Sequence, residues 1–263
     1  MPPRLCHASL APSPPYWHRR AGEEGWAAFG RVELAMDFMR LLKSLEELLY
    51  ELVSWLVFYP LTFWRALTRP LSMMEYADIE LSDRPEDQYD DTVSPPLFLL
   101  ITLLLSQALS AAFPTPLGAS AADIEALTRS TSNLLIARGV IFGIFPMAMA
   151  VTQLKLKRMA LTRSTLRPPF FSQCYVAAPF VMLIGLSVDF IAVPGRSGIM
   201  AAVLIFAAAV LWYGQAQIRW FMQDLGLGLV RALGLFLLAF VLAMILSLAI
   251  AFVLATQLPR WNG

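Results

Sequence analysis

One long apolar run constrains the fold of this chain more than any other feature. It extends from Ala232 to Thr256 and contains no Asp, Glu, Lys or Arg. A helix of about 20 apolar residues crosses the hydrocarbon layer of a bilayer. Over 263 residues, 58% of the chain is hydrophobic and 15% is charged, against roughly 25% charged in soluble domains. The sequence therefore predicts an all-α integral membrane protein.

Five apolar runs of this kind follow one another with short polar segments between them. The predicted spans cover residues 97–113, 134–154, 170–193, 199–214 and 232–256, within a transmembrane domain of residues 97–257. Pro114 follows the first span and Pro194 follows the third, and proline cannot continue a regular helix. The first and fourth spans are shorter than a typical crossing, so we expect them to include flanking residues.

The Lys and Arg residues of the short loops predict the orientation of the chain. Loop 155–169 carries five basic residues and no acidic one, and loop 215–231 adds two more. The other side has three basic residues, which are Arg129, Arg196 and Arg260. Because cytoplasmic loops are enriched in Lys and Arg, residues 1–96 are expected in the cytoplasm. An odd number of spans then places the C-terminus on the opposite side.

The region before the first span divides into an extension, a helix and a linker. Residues 1–35 have no apolar signal sequence, are rich in Pro, Arg and Gly, and are predicted to be disordered. We interpret them as a mis-assigned start, with Met36 as the natural one, or as a dispensable tail. Residues 36–69 have apolar side chains every three to four positions and predict a cytoplasmic amphipathic helix at the membrane interface. Its aromatic part, 52–67, contains Pro60 and is expected to lie on the membrane or against the chain's own helices.

Residues 70–96 are interpreted as an acidic cytoplasmic linker. Its carboxylates share a predicted side with the basic loop 155–169, and opposite charges attract within a screening length of about 8–10 Å. A solvated linker is the first interpretation of this segment. The alternative is docking between two sets, the acidic Asp83, Glu86, Asp87, Asp90 and Asp91 and the basic Lys155, Lys157, Arg158, Arg163 and Arg167. The Gly-bearing twelve-residue calcium loop is absent, so no metal site is predicted.

Two charged residues fall inside the predicted spans near their outer ends. Arg138 and Asp189 each lie about four residues, or about 6 Å, from the end of their span. They are candidates for a structural ion pair or a substrate and ion pathway, while Arg can also reach the interface alone. Pro146 and Pro179 interrupt the same two spans, as in the broken helices of transporters, although Pro is common in spans generally.

One motif of small residues lies on the second span. Gly139 and Gly143 form a GxxxG pattern, which permits close approach of two helices. A single pattern of this kind is a weak signal, so it predicts a helix-packing position only.

The distribution of cysteine and histidine argues against an enzyme. Cys6 and Cys174 are too few for a disulfide framework or a thiolate metal site, and His7 and His18 are the only histidines. No phosphate-binding loop, dinucleotide motif or nucleophile elbow occurs. We predict a non-enzymatic protein without a cofactor, a metal or a nucleic-acid partner.

Two short motifs resemble the Yip1-domain superfamily. Residues 94–98 (SPPLF) are similar to the Pro/aromatic entry of its first span, and Tyr175 with Pro179 resembles the Tyr-x-x-x-Pro element of its third span in bacterial members. The resemblance covers about residues 94–257. It implies no catalytic residues, a role in membrane organisation, and a bacterial inner membrane as the location. The DLYGP-type motif of eukaryotic members is absent, which argues against a Rab-GTPase partner.

Two functions fit these features. The first is a Yip1-like protein that organises the membrane or holds a partner there, with the lipid bilayer and a membrane protein or a second copy as partners. The alternative is a permease, or a subunit of one, for a small solute. A membrane enzyme acting on lipids is a third and weaker alternative, because few polar residues lie at membrane depth.

Overall fold

The computed structural model describes residues 17–84, 88–110, 113 and 131–257, with side chains described for 39–40, 43–84, 88–110, 113 and 139–253. These residues form seven helices and no strand. In chain order the helices are α1 (Trp17–Thr68), α2 (Pro70–Glu80), α3 (Pro95–Ser110), α4 (Thr131–Leu156), α5 (Arg163–Ile191), α6 (Arg196–Leu225) and α7 (Leu229–Gln257). The predicted all-α class is confirmed for this part of the chain.

Four of the described helices are long and apolar enough to cross a membrane. The apolar segments are Gly139–Leu156, Arg163–Ile191, Arg196–Leu225 and Leu229–Val253, in α4 to α7. They indicate an integral membrane protein. Helix α3 is apolar but has 16 residues, or about 24 Å, which is shorter than the hydrocarbon layer of about 30 Å. A fifth crossing by α3 stays a prediction.

The chain divides into two compact units, residues 1–55 and 56–263. In the first unit, the part of α1 from Lys43 to Val53 exposes both its leucines and its charged side chains. Helix α1 begins at Trp17, inside the stretch for which the sequence predicts disorder, and the first 16 residues lie outside the described part.

Helix α5 is the centre of the second unit. It packs against α2, α3, α4 and α6, while α7 packs against α4 and α6. Every residue from Ser172 to Val181 is buried, so this part of α5 is covered on all sides. A helix that is apolar around its whole circumference is expected to be buried in this way.

Two clusters of apolar side chains fill the second unit. One lies among α4 to α7 and contains the rings of Phe145, Phe180, Tyr213, Phe236 and Phe240, whose neighbouring centroids are 4.4–6.2 Å apart. The other joins the end of α1, α2, α3 and α5. Aromatic pairs at such distances add about 0.5–1.5 kcal/mol each beyond the area that they bury.

Particular residues explain where α5 begins and where α6 ends. Thr162 precedes α5, and its hydroxyl accepts the Thr165 backbone N–H at 3.2 Å while the Thr165 hydroxyl accepts the Thr162 N–H at 3.0 Å. This reciprocal capping box satisfies amides that the first turn leaves free. Helix α6 ends where Gly226 adopts a φ of 62°, a left-handed conformation that glycine tolerates.

Helix α2 occupies the first part of the segment that the sequence assigns to a linker. Its Met73, Met74 and Ala77 are buried, and the helix packs against α5 and α6. Spaced one, three and four residues apart, these positions form one apolar side of a helix. The acidic segment therefore contains a docked helix in addition to a connecting loop.

Candidate functional site

Polar side chains follow one side of α6 near its C-terminal end. Tyr213, Gln217, Trp220 and Asp224 are spaced four, three and four residues apart, which places them on one helix face. The same end of the bundle carries the basic loop after α4, and we call it the basic end. Gln217 and Tyr213 are fully buried, and Trp220 is nearly so.

An ion pair lies at the C-terminal end of this polar face, at Asp224. Lys157 Nζ is 2.7 Å from Asp224 Oδ1, and the side-chain amide of Gln153 on α4 donates to the other carboxylate oxygen. Asp78 of α2 is still exposed, but partial loss of hydration raises the pKa of its carboxyl to about 6. The Asp224 carboxylate adds to this rise and Lys157 opposes it. Gln153 of α4 and Lys157 after it thus meet Asp224 of α6, and the charges of this group act on Asp78 of α2.

A pair of glutamines lies deeper in the same region. The Gln217 side-chain N–H donates to the carbonyl oxygen of Gln173 on α5, and both residues are fully buried. Further polar atoms in this region have no hydrogen-bond partner within the described chain: Gln153 Oε1, Gln173 Nε2, Gln217 Oε1, the Tyr213 hydroxyl and Trp220 Nε1. An unmet buried polar group costs about 1–3 kcal/mol. The arrangement therefore leaves both donors and acceptors unpaired among α4, α5 and α6.

A second network holds the loop before α3 against the bundle. The Tyr175 hydroxyl of α5 donates to the Val93 carbonyl at 3.0 Å and lies 3.3 Å from the Thr92 hydroxyl. Thr62 of α1 accepts the Val93 backbone N–H at 3.2 Å. Buried backbone groups need such partners, so Tyr175 and Thr62 together satisfy the peptide groups of Val93.

Asp91 extends this network to the surface. Tyr76 of α2 donates to Asp91 Oδ1 at 2.6 Å, and Arg65 of α1 donates to Oδ2 at 2.8 Å. Burial acts to raise the pKa of Asp91, but the bonds from Tyr76 and Arg65 and the charge of Arg65 outweigh it and lower the pKa. Burial, with the bond to Asp91, raises the pKa of Tyr76 above its ordinary value. Asp91 is therefore held ionised and Tyr76 neutral.

The predicted residues at membrane depth occupy separate surroundings. Asp189 accepts a hydrogen bond from the Ser110 hydroxyl of α3 at 3.0 Å. The side chain of Arg138 lies outside the described part, so the Arg138–Asp189 pair stays a prediction. Pro146 and Pro179 are buried, and α4 and α5 continue through them.

Close helix packing occurs at other glycines than the predicted ones. A Cβ atom added at Gly139 or Gly143 would meet nothing within 4 Å. At Gly185 it would collide with the Ser106 hydroxyl, and at Gly214 it would lie 3.1 Å from the Phe236 ring. Within the described residues, the side of α4 that carries Gly139 and Gly143 therefore packs against no other helix.

The predicted docking sets also use different partners. Asp91 pairs with Arg65, and Lys157 pairs with Asp224. Glu86 and Asp87 lie outside the described residues. The other members are Asp83, Asp90, Lys155, Arg158, Arg163 and Arg167, all exposed, and within the described chain they form no ion pair. Contact between the two sets stays a prediction, although the charge of Lys157 acts on Asp78 of the acidic segment.

Sequence reasoning missed the glutamines of the basic end. Gln153 and Gln173 lie inside predicted spans and Gln217 follows one, so polar residues in apolar runs were the available signal. Their contacts across α4, α5 and α6 depend on how each helix is rotated about its own axis, and the spacing of apolar residues in the sequence does not determine that rotation.

The two motifs that carry the family resemblance contact each other. The ring of Phe98, from the SPPLF segment, lies 5.7 Å from the ring of Tyr175.

Comparison of the chain with protein families, curated proteins and solved structures finds no match in any of the three.

Proposed function

We propose that this protein is a non-enzymatic, Yip1-like membrane protein that organises the bilayer or holds a partner at its surface. The observation that carries the proposal is the exposed leucine side of α1, formed by Leu45, Leu48, Leu49 and Leu52. Lys43 and Glu47 lie on the opposite side of the same helix. A helix with this division suits the membrane interface, where leucines enter the lipid and charges face water.

The packing of the second unit supports this function over transport. Aromatic rings pack against one another among α4 to α7, beside an apolar cavity of about 180 Å³, and Phe180 stacks on Tyr213 with ring centroids 4.4 Å apart. A solute path through that position would require displacement of several packed rings.

Collisional quenching tests the proposal in vesicles. Full-length protein is reconstituted with spin-labelled lipids, and a fluorophore is attached at Leu48→Cys or, as the matched control, at Glu47→Cys. We expect strong quenching at position 48 and weak quenching at position 47, because only the leucine side enters the lipid. Equal weak quenching at both positions would overturn the membrane-surface role of α1.

A permease is the second candidate, and the unpaired polar atoms around Gln173 and Gln217 favour it. Uptake of labelled small solutes into proteoliposomes tests it, with Gln173→Leu and Asp189→Asn as variants. Transport requires uptake by the wild-type protein and its loss in at least one variant. Uptake no greater than in empty vesicles across the panel would reject this candidate.

In both proposals the location is an inner membrane with the N-terminus in the cytoplasm. The partners are the bilayer and either a membrane protein or a second copy of the chain. Co-purification from native membranes identifies that partner.

A further inference from the structure

A cleft of about 400 Å³ opens between the α1–α2 junction and α6. Its lining includes Leu67, Arg69 and Ser72 on one side and Trp212, Gln215 and Arg219 on the other. All of these residues belong to the second unit. The cleft is a distinct site, because its lining includes none of the polar residues described above at the basic end, which are Gln153, Gln173, Tyr213, Gln217, Trp220 and Asp224.

A hydrogen bond joins the two sides of the cleft. The indole N–H of Trp212 donates to the carbonyl of Leu67 at 3.0 Å and ties α6 to the last turn of α1. Arg69 occupies the single position between α1 and α2, where Pro70 begins the next helix. Since both sides are helical and joined, little reorganisation is required before a ligand binds.

The charge of the cleft is one-sided. Two arginines line it and no carboxylate does. Two other bases of the second unit are paired, Arg65 with Asp91 and Lys157 with Asp224. Arg69 and Arg219 form no ion pair within the described chain. Two uncompensated guanidinium groups in one concavity favour an anion there.

The chemistry of the lining indicates which anion. Guanidinium groups donate two parallel N–H bonds and match the oxygens of a phosphate. Ser72 and Gln215 add neutral donors. Trp212 lies near the C-terminal edge of the predicted span 199–214, and Trp side chains favour the interface between lipid and water. The cleft is therefore suited to meet phosphate groups at the level of the lipid headgroups.

We infer that the Arg69–Arg219 cleft binds a phosphate group, which either a phospholipid headgroup or a soluble phosphate compound can supply. The two arginines hold the phosphate oxygens, while Ser72 and Gln215 set the orientation of the group. The inference depends on the chain being a membrane protein and is independent of whether it acts as an organiser or as a permease.

Binding is measured on full-length protein in mild detergent. Native mass spectrometry counts retained phosphatidylglycerol and, in parallel, phosphatidylcholine, and a second arm adds inorganic phosphate as a competitor. We expect Arg69→Gln and Arg219→Gln each to weaken retention of phosphatidylglycerol at least about tenfold, the scale of one lost charge-assisted contact. Arg219→Lys keeps the charge without the bidentate geometry and should fall between wild type and Arg219→Gln.

Arg163→Gln is the matched control, because Arg163 is exposed, unpaired in the described chain and outside the cleft. Retention unchanged in Arg69→Gln and Arg219→Gln overturns the inference, as does an equal loss in Arg163→Gln. Displacement of lipid by inorganic phosphate assigns the site to soluble phosphate compounds. If inorganic phosphate does not displace the lipid and the cleft variants still retain less of it, the site is assigned to the lipid headgroup. Circular dichroism of each variant establishes that the loss does not come from unfolding.

Discussion

At the scale of single residues, Tyr175 shows how one hydroxyl connects distant segments. Its ring packs on Phe98 and its hydroxyl binds the Val93 carbonyl, 82 positions earlier in the chain. The sequence indicates Tyr175 only through a family resemblance. Its partners are backbone and hydroxyl groups that no sequence pattern identifies, because a carbonyl is present at every residue.

Tyr175→Phe tests this contact. The ring is retained but the Val93 carbonyl loses a buried donor, so we expect a loss of about 1–3 kcal/mol in stability. Thermal unfolding in detergent, followed by tryptophan fluorescence, measures the change. Tyr50→Phe is the control, since Tyr50 is 74% exposed and should show no loss. An unchanged midpoint for Tyr175→Phe would show that the hydroxyl bond adds no stability.

The glycines provide a second test at this scale. Gly214→Ala brings a Cβ to 3.1 Å from the buried Phe236 ring, which must move within a packed cluster. Overpacking of this kind costs about 1–3 kcal/mol. Gly139→Ala adds the same atom where nothing lies within 4 Å and should be neutral or stabilising. Thermal midpoints in the same detergent compare the two variants, and equal effects would contradict the packing described for α6 and α7.

At the scale of elements, α2 shows a feature of residues 70–96 that their composition does not reveal. The acidic residues of this segment predict a solvated linker, and that pattern dominates the sequence. Met73, Met74 and Ala77 nevertheless form an apolar side that packs on α5 and α6. One short apolar side carries little periodic signal in an 11-residue helix, so only the tertiary partner reveals it.

The docking of α2 should depend on pH through Asp78. Its pKa is raised to about 6 in the folded protein, so the folded form binds this proton more tightly than the unfolded form. The stability that the folded protein gains from protonated Asp78 is present at low pH and is lost as the pH rises through about 6. The Asp224 carboxylate on α6 opposes ionisation of Asp78, and the charge of Lys157 after α4 favours it.

Thermal midpoints at pH 5 and pH 7 measure this linkage. Wild type should lose more stability between the two values than Asp78→Asn, which has no proton to release. At pH 7 the Asn variant should be at least as stable as wild type. A parallel pH dependence in the two proteins would show that Asp78 does not control α2.

At the scale of the whole molecule, the class was predictable and the arrangement was not. Apolar run length identified the all-α membrane class, and four of the five predicted spans coincide with long apolar helices. The central place of α5, the polar face of α6 and the Arg69–Arg219 cleft depend on which helix sides meet. Apolar runs do not encode those contacts, because a lipid-facing side and a buried side of a spanning helix are both apolar.

The crossing of α3 decides the topology of the molecule. With Cys6→Ser as background and Cys174 buried, single cysteines at Ser82→Cys, Ala160→Cys and Ser197→Cys report each side. An impermeant thiol reagent applied to sealed vesicles of known orientation should label positions 82 and 160 from one side and 197 from the other. Labelling of position 82 together with position 197 would show that α3 does not cross.

The bond between Trp212 and Leu67 also imposes an order on biosynthesis. Its two residues are 145 positions apart, and ribosomes add about 5–20 residues per second. The end of α1 therefore waits about 7–30 s for its partner, and the apolar side of α2 waits a similar time for α6. We therefore expect the end of α1 and the side of α2 that faces α6 to lack these contacts during synthesis until α6 has been translated.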